Sequence, residues 1–222
     1  MAISCSFSRN GLYPGQCLLP GMKKSLCLRV FSIILSISAL FASFQTNGIA
    51  YNSRMALGCY WPDTPCDVFF RCDFATEKRE EVRDAMQEWN SIRSYSNHYM
   101  VSMFLTRDEN ETNRIFDDPV VQAVAYTYHY YSDGGALYRV EIGLRSSYRF
   151  SVGGSATSFD IRTVVQHELG HALGVAHCHE QNDTSCFSAT CSQNVMNPSI
   201  AMGEVRTTFQ AYDIGSYKNI YS

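Results

Sequence analysis

Val82, Ala85, Met86, Trp89 and Ile92 recur three or four positions apart with charged residues between them, which predicts an amphipathic helix over 76–92 with Met86 and Trp89 in its core face. A second helical stretch, 159–173, offers Ile161, Val164, Val165, Ala172 and Leu173 for burial, and Asp160 near its start complements the helix dipole. A third closes the chain at 209–221, with Phe209, Tyr212, Ile214, Tyr217, Ile220 and Tyr221 as its apolar surface. Between the helices, runs rich in β-branched and aromatic residues predict strands at 67–71, 99–105, 120–131 and 137–144. The last two are joined by the turn Ser132-Asp133-Gly134-Gly135. Residues 107–118 read as a polar loop ending at Pro119, and 146–157 as a Gly/Ser-rich loop leading into the second helix. Gly153 and Gly154 in that loop do not make a phosphate cradle, because no Gly-Lys-Ser/Thr follows them.

The first 50 residues read as processing signals outside the fold. Met22, Lys23 and Lys24 precede an apolar run to Phe44, and Gly48-Ile49-Ala50 supplies the small residues of a cleavage site. Met22 is itself a candidate start, with 1–21 as an upstream extension. A signal anchor is the rival reading, but Arg29 and four serines interrupt Leu26–Phe44, a poor match to the roughly 20 apolar residues that spanning needs. The expected organisation is therefore an extension and secretory signal over 1–50, followed by one domain over 51–222. A net charge of −3 and 45% hydrophobic residues in 222 fit a globular domain and exclude a basic field for nucleic acid or an acidic membrane.

Removal of the signal would take Cys5, Cys17 and Cys27, leaving Cys59, Cys66, Cys72, Cys178, Cys186 and Cys191. An even set in an exported domain suggests three disulfides, with fifteen pairings open. Cys66 and Cys72 flank a strand whose ends would lie roughly 20 Å apart, so they should not bond each other. Asn110-Glu-Thr and Asn182-Asp-Thr are sequons, making Asn110 and Asn182 glycosylation candidates in a eukaryotic secretory pathway.

The chemistry concentrates in His167-Glu-Leu-Gly-His-Ala-Leu-Gly-Val-Ala-His177, and four of the six histidines fall within 167–179. Histidines four apart on a helix lie about 40° apart around its axis, so His167 and His171 point at one place. Gly174 can take φ > 0, end the helix and turn the chain so that His177 arrives as a third ligand. Three nitrogens leave a fourth position open, the arrangement of a catalytic zinc site. Glu168 stands one step round the helix, placed to reach a water at the metal without ligating the ion. Cys178, beside His177, is the rival ligand; export chemistry and a complete histidine triad argue against it.

His167, Glu168, His171, Gly174 and His177 resemble, residue for residue, the long zinc signature of the metzincin metallopeptidases. Met196, in Asn194-Val195-Met196-Asn197-Pro198, resembles the Met-turn of that family, whose thioether underlies the zinc histidines without ligating. No tyrosine stands two residues after Met196, and the closing run 211–221 resembles the last helix of matrixin catalytic domains, so the matrixin branch is favoured. The resemblance implies an α+β metzincin fold: a mixed twisted sheet of about four to five strands, a long helix in the N-terminal half, the zinc helix, the Met-turn and a C-terminal helix. It implies a zinc-dependent endopeptidase in which Glu168 is general base on the zinc-bound water, with Pro198, Ser199 and Ile200 lining the substrate pocket. It further implies one catalytic zinc ion and a sheet edge, placed here at Val121–Tyr128, that binds an extended peptide by strand addition. The matrixins' structural zinc and calcium loops have no clear counterpart; His129 and Asp133 have the wrong spacing for one and read as surface residues. A propeptide cysteine motif and a hemopexin-like module are not recognised either. The expected partner is a protein or peptide, acted on by a secreted monomer with no role for nucleic acid or, after signal cleavage, for a membrane. An inactive peptide- or inhibitor-binding module and a signal-anchored surface protein are the alternatives.

Overall fold

The helix at 76–92 forms as its periodicity requires. In the computed structural model it runs Thr76–Ser91 (α1) and buries Val82, Ala85, Met86 and Trp89 along one face. The structure describes residues 7–8, 56–63, 65–92, 101–178 and 191–221, all of which belong to one compact unit. The expected signal peptide and the domain start at Tyr51 lie outside the described residues.

The strands are β1 (Phe7–Ser8), β2 (Cys66–Cys72), β3 (Val101–Thr106), β4 (Arg114–Asp118), β5 (Ala125–Tyr131) and β6 (Leu137–Arg145). They form one sheet in the order β1-β5-β6-β4-β2-β3. β2 is parallel to β3 and β4, β4 is parallel to β6, and β5 is antiparallel to β6. This is the mixed α+β sheet expected from the sequence. A further short pair, β7 (Phe150–Ser151) with β8 (Phe159–Asp160), lies within and just after the 146–157 stretch read as a loop.

Two expectations about the strands are corrected. The polar loop assigned to 107–118 contains β4, an interior strand between β2 and β6. Arg114, Asp117 and Asp118 disguise it, yet Ile115 is fully buried and Asp118 accepts from the Tyr128 hydroxyl at 2.8 Å. The strand expected over 120–131 begins at Ala125, because 119–124 turn before entering the sheet and Val120 stays exposed. Nor is the other side of β5 bare: Phe7 and Ser8 of β1 pair with Tyr128 and His129 in parallel register.

α2 (Ile161–Ala172) packs against α1, β5 and β6. Asp160 caps it, accepting from Thr163 N at 2.8 Å and Thr163 Oγ1 at 2.6 Å. Trp89 of α1 donates from Nε1 to Gln166 O at 2.8 Å, and Trp61 donates to Ala172 O at 2.9 Å, so indoles anchor α2 near its middle and end. The last helix, α3 (Ala211–Tyr221), contributes Tyr217 and Tyr221 to the same core. No helix among the described residues is long and apolar enough to cross a membrane.

Candidate metal centre

α2 ends at a built stop. Gly174 N donates to His171 O at 2.8 Å and Val175 N to Gly170 O at 2.9 Å, the paired bonds of a Schellman cap. Gly174 sits at φ 83°, and a Cβ there would meet Cys59 O at 2.2 Å, so the position admits glycine for conformation and for space. The chain reverses and delivers His177 to the face that carries His167 and His171.

The three rings converge. Nε2 of His167 lies 3.0 Å from Nε2 of His177 and 3.1 Å from that of His171, and the His171–His177 separation is 2.9 Å. His167 Nδ1 lies 2.7 Å from Val195 O and His171 Nδ1 lies 2.8 Å from Val175 O. A carbonyl can only accept, so both Nδ1 atoms carry the proton and both Nε2 atoms present lone pairs. The 3.1 Å approach of His167 Nε2 to His171 Nε2 is therefore not a hydrogen bond. Lone pairs brought this close in a buried site repel, and a cation among them removes the conflict. Tetrahedral bonds of about 2.0–2.1 Å would set nitrogens about 3.3 Å apart, so the observed spacing fits such an ion within a few tenths of an ångström. Among the described residues, His167, His171 and His177 are the group able to hold a metal. Burial, followed by the charge of neighbouring His177, holds His167 and His171 well below the ordinary histidine pKa, in the neutral form that a metal requires.

Met196 lies fully buried beneath the helix. A Cβ on Gly170 would come within 2.3 Å of its Sδ, so glycine at 170 allows the thioether to sit directly against α2. The turn carrying Met196 is fixed from α3: Asp213 accepts from Val195 N at 3.1 Å, Met196 N at 3.0 Å and Gln210 N at 2.8 Å. The same turn supplies Val195 O to His167, which ties Met196 to the histidine triad. Pro198 is half-buried, Ser199 is exposed and Ile200 is packed into the core after the turn. Asn110 is exposed, as a sequon requires; Asn182 and Cys186 lie outside the described residues. Cys59, Cys66, Cys72 and Cys178 carry free thiols in this structure, and burial pushes the Cys59 thiol up to about 12.

Glu168 is fully buried, and its Oε2 accepts from Thr127 Oγ1 of β5 at 2.6 Å. Two residues along the strand, His129 donates from Nε2 to His171 O at 2.7 Å. His129 is therefore not the surface residue expected: it is 2% exposed, and burial lowers its pKa to about 4. Asp133 is exposed in the β5–β6 turn, so the two do not form a site together. Thr127 gave no signal in sequence, because its partner is 41 positions away. The inward alternation of β5 was the available clue, since it sends 127 and 129 to one face.

The model of metallo-peptidase family M12 matches residues 39–209. The chain belongs to that family. No curated protein shows significant similarity to the chain. M12 metallopeptidases are metzincins that use zinc, so the signature, the fold and the metal class agree. The matching family is M12, and the matrixin branch favoured from the turn after Met196 is not the one it names. The long zinc signature and the Met-turn are common to the metzincins, the level at which the resemblance and the family model agree.

Proposed function

We propose that this M12 metallopeptidase is a secreted, monomeric zinc endopeptidase that hydrolyses protein or peptide substrates, with His167, His171 and His177 as zinc ligands and Glu168 as general base. The observation that carries the reading is the convergence of three Nε2 atoms within 2.9–3.1 Å, with a buried carboxylate on the adjoining helical position. Zinc held there by His167, His171 and His177 would supply Lewis-acid polarisation and lower the pKa of a water towards about 7. Glu168 takes the water's proton and returns it to the leaving amine, the two-way transfer expected of a carboxylate within reach of both groups. Val195 O and Val175 O hold the first two imidazoles in the ligating tautomer, and Met196 supports the helix from below. Pro198, Ser199 and Ile200 line the pocket for the residue after the scissile bond.

Export rests on the signal-like stretch 22–50 and its small-residue cleavage site. Disulfide pairing among Cys59, Cys66, Cys72, Cys178, Cys186 and Cys191, and glycosylation at Asn110 and Asn182, belong to the same reading. Digestion of labelled casein by secreted protein, with and without chelator, tests the function. Cleavage lost on chelation and restored by zinc is the expected outcome; zinc-loaded protein that cleaves nothing leaves the site as a peptide-binding module.

A further inference from the structure

We infer that Thr127 is a positioning residue for the general base, holding the Glu168 carboxylate through one oxygen so that its swing is restrained before substrate arrives. The inference rests on the proposed role of Glu168 and adds a residue to it. Thr127 is fully buried at the middle of β5, in register with Ile142 of β6, so its backbone is held by the sheet. Its β-branched side chain has few rotamers to lose. The hydroxyl lies 2.6 Å from Glu168 Oε2 and 3.1 Å from Glu168 O. It has one proton to give, and the shorter contact has the length of a charge-assisted O–H···O⁻ bond.

A glutamate on a helix otherwise swings about three torsions, and a general base must meet its water within hydrogen-bond distance. Tying Oε2 to a sheet-borne hydroxyl narrows the arc open to the second oxygen. His129, on the same face of β5, donates to the backbone carbonyl of His171. One strand thus grips the zinc helix twice, once at the base and once at the main chain of a proposed ligand. The first grip acts on a group in motion during turnover, so its loss should appear in the chemical step.

The test uses zinc-loaded full chain and fluorescein-labelled casein, comparing Thr127→Val, Thr127→Ala, Thr127→Ser and Glu168→Gln. Removing a hydrogen bond to a charged group predicts kcat lower by about ten- to a hundredfold in the valine and alanine variants. KM, zinc per chain and melting temperature should stay close to wild type, and serine should restore kcat to within about threefold. If valine destabilises the fold by placing a methyl against the carboxylate, the alanine variant carries the comparison. Wild-type kcat in a zinc-loaded valine or alanine variant, beside an inactive Glu168→Gln, overturns the role of Thr127 and leaves the base standing. Loss of zinc or a risen KM without a fall in kcat overturns it too, as does a serine variant no better than alanine. A fully active Glu168→Gln removes the base itself, and the inference with it.

Discussion

The two helices α1 and α2 pack against each other and against the same sheet, yet they are buried in different ways. α1 buries the stripe Val82, Ala85, Met86 and Trp89, and solvent meets its charged side. α2 is buried at every position except Arg162, with His167, Glu168 and His171 at zero exposure. An all-round buried helix should be all apolar, because each unpaired polar group in a core costs free energy. α2 departs from that rule at Thr163 and Gln166 and, within little more than one turn, at His167, Glu168 and His171. The three site residues are met by partners from three different places: Val195 O in the Met-turn, Thr127 on β5, and Val175 O past the Schellman cap. A strut is stabilised by the area it buries, whereas a site helix also needs its polar groups satisfied from outside.

Substitutions of similar size on the two helices should therefore give very different losses. The largest is at Glu168: glutamine there should lower casein turnover by about 10²–10⁴-fold while zinc content and melting temperature stay near wild type. Glu80→Gln on the exposed side of α1 should leave turnover unchanged in the same assay. Next is removal of zinc. With the ion at a hundred to a thousand times its dissociation constant, its binding stabilises the fold by about 2.7–4.1 kcal/mol, so a chelator should lower the melting temperature by several degrees and zinc should restore it. A smaller loss follows at Gly170, where alanine must force apart Met196 Sδ, 2.3 Å from the new Cβ, and Trp89 Cζ2, 2.8 Å away. Overpacking of this kind costs about 1–3 kcal/mol, read by urea denaturation. The smallest is Glu88→Ala, which breaks a 3.0 Å pair with Arg162 between the helices. With 42% of the Glu88 side chain exposed, that pair should contribute about 0.2–1 kcal/mol and weaken with salt.

The site's histidine triad was legible in sequence because it is local: eleven residues carry two histidines on one helical face, the glycine that ends the helix and the third histidine after the turn. The three helices were legible for the same reason, since periodicity is a property of a short window. β4 was not. Its sequence Arg-Ile-Phe-Asp-Asp has charged residues at both ends, and only its position between β2 and β6 buries Ile115 and Asp118. Thr127 and His129 were missed because their roles depend on an approach of β5 to α2 that no local pattern specifies. His129 illustrates the difference: in sequence it stands among tyrosines ahead of a polar turn, and in the fold it is tied to the main chain of His171. The sheet edge expected at Val121–Tyr128 falls on β5, which begins only at Ala125 and is met by β1 at Tyr128 and His129.

The central claim is that three imidazoles share one metal ion. X-ray absorption at the zinc edge, on purified protein with its zinc content measured, tests it most directly. The account predicts close to one zinc per chain with three nitrogen ligands at about 2.0–2.1 Å, the remaining scatterer being oxygen, and loss of that signature in His177→Ala. A chain without stoichiometric zinc, or a sulfur ligand at about 2.3 Å that would draw Cys178 into the coordination sphere, would contradict it.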